Sequence, residues 1–423
     1  MSVFFFATFD YLMSFTIPTP SMPAPGTVRS RAAEKRGAIP LHIYAVSLAA
    51  LLTMVGVLWD ISWHRTIGRD KFLSPPHILI YLGAIFAGLF SGIQVLYNSF
   101  FRKQVSQATA IRVWGIFYSS LGGLFCIWGA IAMLTSAPFD DWWHSAYGLD
   151  VKILSPPHTL LAMGMIFLQF GACVSICKYL NTGVGNRAVL QTLFVIGASS
   201  LLCMVYTLFT DFLQIHAERS GSFYIIGAVV SLMLLPAFGV ALQMRWGMTA
   251  VAAGYFCLVA FSNWILQLFP AEPKLGPILT HLTHFQPAHF PALIFVPALA
   301  MDWVLQRSRP NVRDSRSSVQ QSRSNDWVKA FWLSLLFVGL LAAIQYPLSG
   351  FLLESPGARN WFFGADSWFY SGPPDAPFRY RFRPDDIAPL PKLFEGLLVA
   401  VVLGGLCARI SLRWGQWMLK IQR

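Results

Sequence analysis

The chain reads as an all-α polytopic membrane protein of about ten transmembrane helices, built from repeated helix-loop-helix hairpins with both termini on the cytoplasmic side. Three observations predict this. Its 423 residues are 55% hydrophobic and 12% charged, whereas about a quarter of an ordinary soluble domain is charged. Apolar runs long enough to cross about 30 Å of hydrocarbon occur near 41–60, 78–98, 113–133, 158–178, 189–210, 223–243, 248–268, 288–306, 328–352 and 392–412. Most of the 31 basic residues fall in alternate connections, among them Arg29, Arg31, Lys35, Arg36, Arg102, Lys103, Arg309, Arg313 and Arg423, which places those connections and both termini in the cytoplasm.

Residues 1–39 read as a disordered cytoplasmic segment. Their apolar stretch, with Phe4, Phe5, Phe6, Leu12 and Phe15, has no basic residues before it and makes a poor signal peptide. Met22 is an alternative initiator. Residues 40–306 form an eight-helix core of hairpins, followed at 307–327 by a polar stretch with the composition of a flexible cytoplasmic linker. A two-helix C-terminal unit, 328–423, closes the chain. Its loop of about 40 residues is rich in aromatics, including Trp361, Phe362, Phe363, Trp368, Phe369, Tyr370, Tyr380 and Phe382, of the kind that sits at the headgroup level. The other reading of this loop is a lid or docking surface.

The net charge of +12 is spread over short loops in the pattern that topology requires, so the sequence predicts no nucleic-acid partner. The bilayer is the partner that composition demands. All six cysteines lie within or at the ends of apolar spans and read as small core residues rather than disulfides.

Two segments carry the chemistry. Asp60, Trp63, His64, Gly68, Asp70 and Ser74-Pro75-Pro76-His77 recur about 80 residues later as Asp140, Trp143, His144, Gly148, Asp150 and Ser155-Pro156-Pro157-His158. Asp60 and His64, like Asp140 and His144, are one helical turn apart and share a helix face. The Ser-Pro-Pro element predicts a helix start in which Ser caps exposed N–H groups and proline occupies the first turn, fixing where His77 and His158 point. Two imidazoles and a carboxylate suit copper, with zinc or non-haem iron as alternatives, and the absence of thiolates argues against a closed structural zinc site. Ionisable groups at a membrane boundary are costly and usually functional. The plain structural reading is a surface ion pair beside interfacial tryptophans, and duplication of the whole pattern weighs against it.

Asp70 and Asp150 are placed to orient a ligand imidazole through its remaining N–H. A third hairpin keeps Asp211 and His216, and a fourth carries His281, His284 and His289; these are weaker metal candidates, since histidines at an interface also cap helices. Eight of the nine histidines map to one predicted face, which topology assigns to the periplasm or exterior of an inner (cytoplasmic) membrane.

Over about 18 residues per copy, the Asp-x3-His motif with its following Arg-Asp, Ser and His resembles the copper-site motif in the C subunit of particulate methane and ammonia monooxygenases. The resemblance implies that Asp60, His64 and His77 are copper ligands, with Asp140, His144 and His158 their duplicate, in a subunit of a copper-dependent membrane oxidoreductase that works with other membrane subunits or a redox partner. The second copy departs from it, with Leu149 in place of Arg69 and a His-to-His spacing of 14 instead of 13. The alternative is a copper- or zinc-handling, chaperone-type protein without catalysis. A haem cytochrome would need histidines facing each other mid-membrane, and a transporter would need polar groups along a path across it; the helix middles offer few of either.

Overall fold

A computed structural model describes residues 37–102, 109–148, 155–307 and 319–423. Asp150, the segment before Gly37 and most of the polar stretch after Arg307 lie outside the described residues. Within them are ten helices: α1 (Leu41–Thr66), α2 (Pro75–Phe100), α3 (Leu121–Tyr147), α4 (Pro156–Thr182), α5 (Arg187–Thr207), α6 (Gly221–Leu242), α7 (Gly247–Leu266), α8 (Phe295–Arg307), α9 (Val319–Glu354) and α10 (Leu390–Met418). Nine of these are long and apolar enough to cross a membrane, and α8 is not.

The eighth expected span, 288–306, is therefore corrected. At about 1.5 Å per residue, the 13 residues of α8 cover about 20 Å, short of the hydrocarbon thickness. Prolines 270, 273, 277, 287 and 291 crowd the stretch before it, and each removes a backbone donor and disfavours helix in the residue before it. Other segments satisfy the freed backbone groups. The Ala271 N–H donates to the Thr283 carbonyl (2.9 Å), the Gln286 N–H to Thr66 Oγ1 (2.8 Å), and Ser62 Oγ to the Gln286 carbonyl (2.9 Å). The chain still returns to the end where α7 begins, because Asp302 Oδ2 accepts from the Thr249 N–H at 2.8 Å.

The third expected span also shifts. Residues 113–119 belong to a small antiparallel hairpin, β1 (Ile111–Val113) with β2 (Phe117–Ser119), in the register Ile111↔Ser119. Its turn is tight because Trp114 and Gly115 both take positive φ. α3 starts only at Leu121, where Ser120 caps it by accepting from the Gly123 N–H, and it runs past Asp140 to Tyr147. From Val319 onward the polar stretch is helical, as the opening of α9.

The hairpins α1–α2 and α3–α4 are closed by equivalent backbone approaches. A Cβ on Gly83 would come within 3.0 Å of the Ala49 carbonyl oxygen and 3.2 Å of the Thr53 nitrogen. On Gly164 it would meet the Gly129 oxygen at 2.8 Å and the Met133 nitrogen at 2.9 Å. Gly83 and Gly164 each lie six residues after the second histidine of their copy, while Thr53 and Met133 each lie seven before the first aspartate. Small residues let helix backbones approach where lipid supplies no hydrophobic drive between them. That approach sets the height at which aspartate and histidine meet across the hairpin.

The C-terminal helices pack on the core. α10 lies along α6, with the Ala237 N–H donating to Ser411 Oγ at 2.8 Å. The aromatic loop is fastened to the end of α7 and to the non-helical segment after it: Trp264 Nε1 donates to the Phe362 carbonyl (2.8 Å), Trp361 Nε1 to the Trp264 carbonyl (3.0 Å), and the Trp368 N–H to Gln286 Oε1 (3.1 Å). Trp361 and Phe362 remain about half exposed while their backbone and indole groups bond within the chain.

Candidate metal centre

α1 carries Asp60 and His64 on its last two turns and ends at Thr66. There the N–H groups of Ile67 and Gly68 both turn back to the Trp63 carbonyl, and Gly68 adopts a φ of 84° that side chains resist. The indole N–H of Trp63 donates to the Arg69 carbonyl at 3.0 Å, which holds the loop so that Asp70 folds back over the helix end. The chain then enters α2 through Pro75 and Pro76, leaving His77 in the first turn.

These turns bring four side chains together. His77 Nε2 lies 3.2 Å from Asp60 Oδ1 and 3.1 Å from Asp70 Oδ2, and His64 Nε2 lies 3.8 Å from Asp60 Oδ2 and 3.6 Å from Asp70 Oδ2. Asp70 thus meets the same ring nitrogen of His77 as Asp60 does, and the far nitrogen, His77 Nδ1, is buried without a hydrogen bond. The geometry gives Asp70 a place among the donors, where sequence reasoning had it orienting an imidazole from behind.

The second copy assembles in the same way. His144 Nε2 lies 3.5 Å from Asp140 Oδ2, and His158 Nε2 lies 3.3 Å from Asp140 Oδ1. Here the far ring nitrogen of His144 is 3.0 Å from the Gly148 carbonyl. A carbonyl only accepts, so Nδ1 carries a proton and Nε2 is the ring nitrogen turned to Asp140, as in an imidazole oriented by a backbone carbonyl behind it.

The helix starts differ between the copies. Ser155 caps α4 as expected, accepting from the His158 N–H at 3.4 Å. Ser74 makes no cap on α2, because its hydroxyl accepts the Lys71 N–H at 2.7 Å and so belongs to the loop that presents Asp70.

In each cluster three donor atoms, from Asp60, Asp70 and His77 or from Asp140, His144 and His158, lie within 4.8 Å of one another. Tetrahedral ligands at about 2.1 Å from a metal are about 3.4 Å apart, close to the nitrogen–oxygen separations measured here. The His77 separations of 3.2 and 3.1 Å also lie at the long end of the hydrogen-bond range, well beyond the 2.6 Å between His289 Nε2 and Glu218 Oε1. The equivalent oxygens Asp60 Oδ1 and Asp140 Oδ1 are both buried with no well-formed hydrogen bond. A buried carboxylate oxygen left this way is costly, and a cation between the donors would satisfy it in both copies.

The clusters are neighbours, with Asp140 close enough to feel the charges of Asp70 and His77. Tyr81, one turn beyond His77, senses Asp60, Asp70 and Asp140; its ring centroid is 6.1 Å from that of His77 and its hydroxyl donates to the Phe72 carbonyl at 3.1 Å. Sequence reasoning missed Tyr81, and the four-residue step from His77 was the available signal.

The weaker candidates do not gather. Among the described residues neither Asp211/His216 nor His281/His284/His289 contributes to a group of three donors. His216 faces Asp386 (3.4 Å) rather than Asp211, His284 Nδ1 is 2.9 Å from Thr283 Oγ1, and His289 is taken by the fully buried Glu218. Burial and the charge of Arg383 depress the basicity of His216 below the ordinary histidine value, outweighing the opposing pull of Asp386. At Asp70 burial works upward, but the hydrogen bond from His77 and the charges of His64 and His77 prevail, so its carboxyl sits below the ordinary value.

Comparison with protein-family models, with curated proteins and with solved structures finds no match.

Proposed function

We propose that this membrane protein binds copper at two neighbouring Asp/His sites, built by duplicated hairpins on the outer face of a cytoplasmic membrane, and serves as a subunit of a membrane oxidoreductase. One observation carries the reading: in both hairpins the same carboxylate oxygen, Asp60 Oδ1 or Asp140 Oδ1, is buried, lacks a well-formed hydrogen bond and faces an imidazole at 3.2 or 3.3 Å. Asp60, His64, Asp70 and His77 would hold one ion, and Asp140, His144 and His158 the other. Mixed nitrogen and oxygen donors without thiolate favour copper among the common first-row ions, as does the motif's resemblance to the monooxygenase C subunit. The equivalent glycine approaches at Gly83 and Gly164 support the duplication. The basic residues in connections at the opposite ends of these helices support the outward orientation.

A bound copper ion would supply one-electron redox chemistry. The chain's own contribution is to hold the donors apart at ligand spacing, to fix the proton of His144 on Nδ1 through Gly148, and to bring Asp70 over the first cluster.

A second reading, metal handling without catalysis, is favoured by the exposure of His64, whose side chain is 49% accessible and open to ligand exchange. Metal analysis of protein purified from its native membrane, with His64→Ala and His144→Ala beside the wild type, tests the shared claim: each variant should lose metal. Equal and negligible metal in all three would overturn it. A Cu(II) EPR signal that vanishes on adding a reductant and returns on reoxidation supports the oxidoreductase; stoichiometric zinc with no signal supports handling.

A further inference from the structure

An apolar cavity of about 910 Å³ lies between α1, α5 and α7, on the side of α1 that carries Trp59 and Trp63. No charged side chain lines it, and its only hydroxyls are those of Ser199 and Ser262. Its shape follows the helix axes. On α1 the lining residues Leu51, Val55, Trp59 and Trp63 recur every fourth position and span about 18 Å of helix, slightly more than half of a hydrocarbon core about 30 Å thick. On the rim, Val55, Phe261 and Ile265 are each 40% exposed or more, and all three belong to membrane-spanning helices. The cavity is therefore a slot parallel to the helices that opens on the flank where lipid chains lie.

We propose that this slot binds one acyl chain of a membrane phospholipid, extended along α1 with its headgroup end beside the Trp59 and Trp63 rings and its methyl end toward Leu51. Length, direction, apolarity and side opening each fit a chain entering from the bilayer. A compact polar ligand would find neither charge nor convergent donors there, and water would gain little from walls with two hydroxyls. The chain would pack against the helix that carries Asp60 and His64 from the side of Trp59 and Trp63, bracing the first cluster without touching it.

The test uses the full-length protein in phosphatidylethanolamine/phosphatidylglycerol nanodiscs, released into mild detergent and weighed intact by mass spectrometry. A filling variant, Val55→Phe with Cys257→Phe, places rings at two rim positions; Cys257 is the exposed cysteine among the described residues and lines the slot. The expected result is one phospholipid fewer per chain in the variant, with metal content unchanged. In parallel, a phospholipid with a photoreactive group on its acyl chain should label wild-type α1 and α7 at the slot, and this labelling should fall several-fold in the variant. Equal lipid retention and labelling in both proteins, or release from the wild type of an isoprenoid or other non-phospholipid molecule in the chain's place, would overturn the proposal. The metal content of the wild type reports separately on the copper reading, so either idea can fail alone.

Discussion

The two clusters start from the same pieces and are finished by different neighbours. Both join an Asp-x3-His helix end to a Pro-Pro-His helix start, and both leave one aspartate oxygen buried between imidazoles. In the first, the loop folds back through Trp63 and Ser74 to deliver Asp70, and the His77 side chain is only 18% exposed. In the second, Ser155 is spent on capping α4, the Gly148 carbonyl fixes His144, and His158 is 36% exposed. The first thus gathers four side chains and the described part of the second gathers three, and the first joins the least exposed of the four histidines, His77, to the most exposed, His64 at 49%. The hairpin supplies the groups common to both, and the connecting loop sets how many there are; on the copper reading it would also set how tightly an ion is held.

The largest effects should come from the histidine at each helix start. His77→Ala is expected to empty the first site and His158→Ala the second, each removing about half of the bound metal as measured by elemental analysis; loss of both ions from either variant would mean that the clusters form one site. Asp70→Asn should separate the copies more finely. Metal affinity at the first site should fall by at least the roughly 10- to 100-fold typical of an outer supporting group, with the second unchanged, and an isothermal titration showing two unaltered sites would demote Asp70 to a bystander.

The same substitution has a pH signature in metal-free protein. Because the folded state holds the Asp70 carboxyl below its ordinary value of 3.8, its ionised form adds stability that is present above that pH and lost as pH falls through the depressed folded value. The wild type should therefore be more stable than Asp70→Asn at pH 6, and the gap should close below about pH 3.8. A gap independent of pH in thermal unfolding scans would show that packing, not charge, separates them.

Smaller again are the glycine contacts. Gly83→Val and Gly164→Val should each destabilise by about 1–3 kcal/mol through overpacking and weaken metal binding only in their own hairpin; metal loss at the partner cluster would make the four helices one mechanical unit. The smallest effect expected is from Ser155→Ala, about 0.5–2 kcal/mol for a lost cap, whereas Ser74→Ala should spare the helix and loosen the hold on Asp70.

Much of this was legible along the chain. Nine of the ten expected spans are matched by helices long enough to cross, because burying or lipid-facing an unbroken apolar run leaves the backbone no other way to satisfy itself. The failure at 288–306 was legible too, in the prolines from 270 to 291, but hydropathy outweighs them when only a window average is read. The Asp-x3-His and Pro-Pro-His elements marked the members of each cluster because helix periodicity and the helix start fix their direction locally. Nothing local announces that His216 turns to Asp386 or His289 to Glu218, since those partners come from other elements brought alongside by packing.

By itself the sequence determined that the chain is helical and membrane-embedded, and which aspartates and histidines stand at the ends of which helices; these follow from local hydropathy and from a period of 3.6 residues. Only the tertiary structure decided that Asp70 meets Asp60 and His77, that Tyr81 stands beside His77, and that an apolar slot runs along the back of α1. Those facts depend on how closely the paired helix backbones approach at Gly83 and Gly164, and on where loops find hydrogen-bond partners, which no spacing within a single segment encodes.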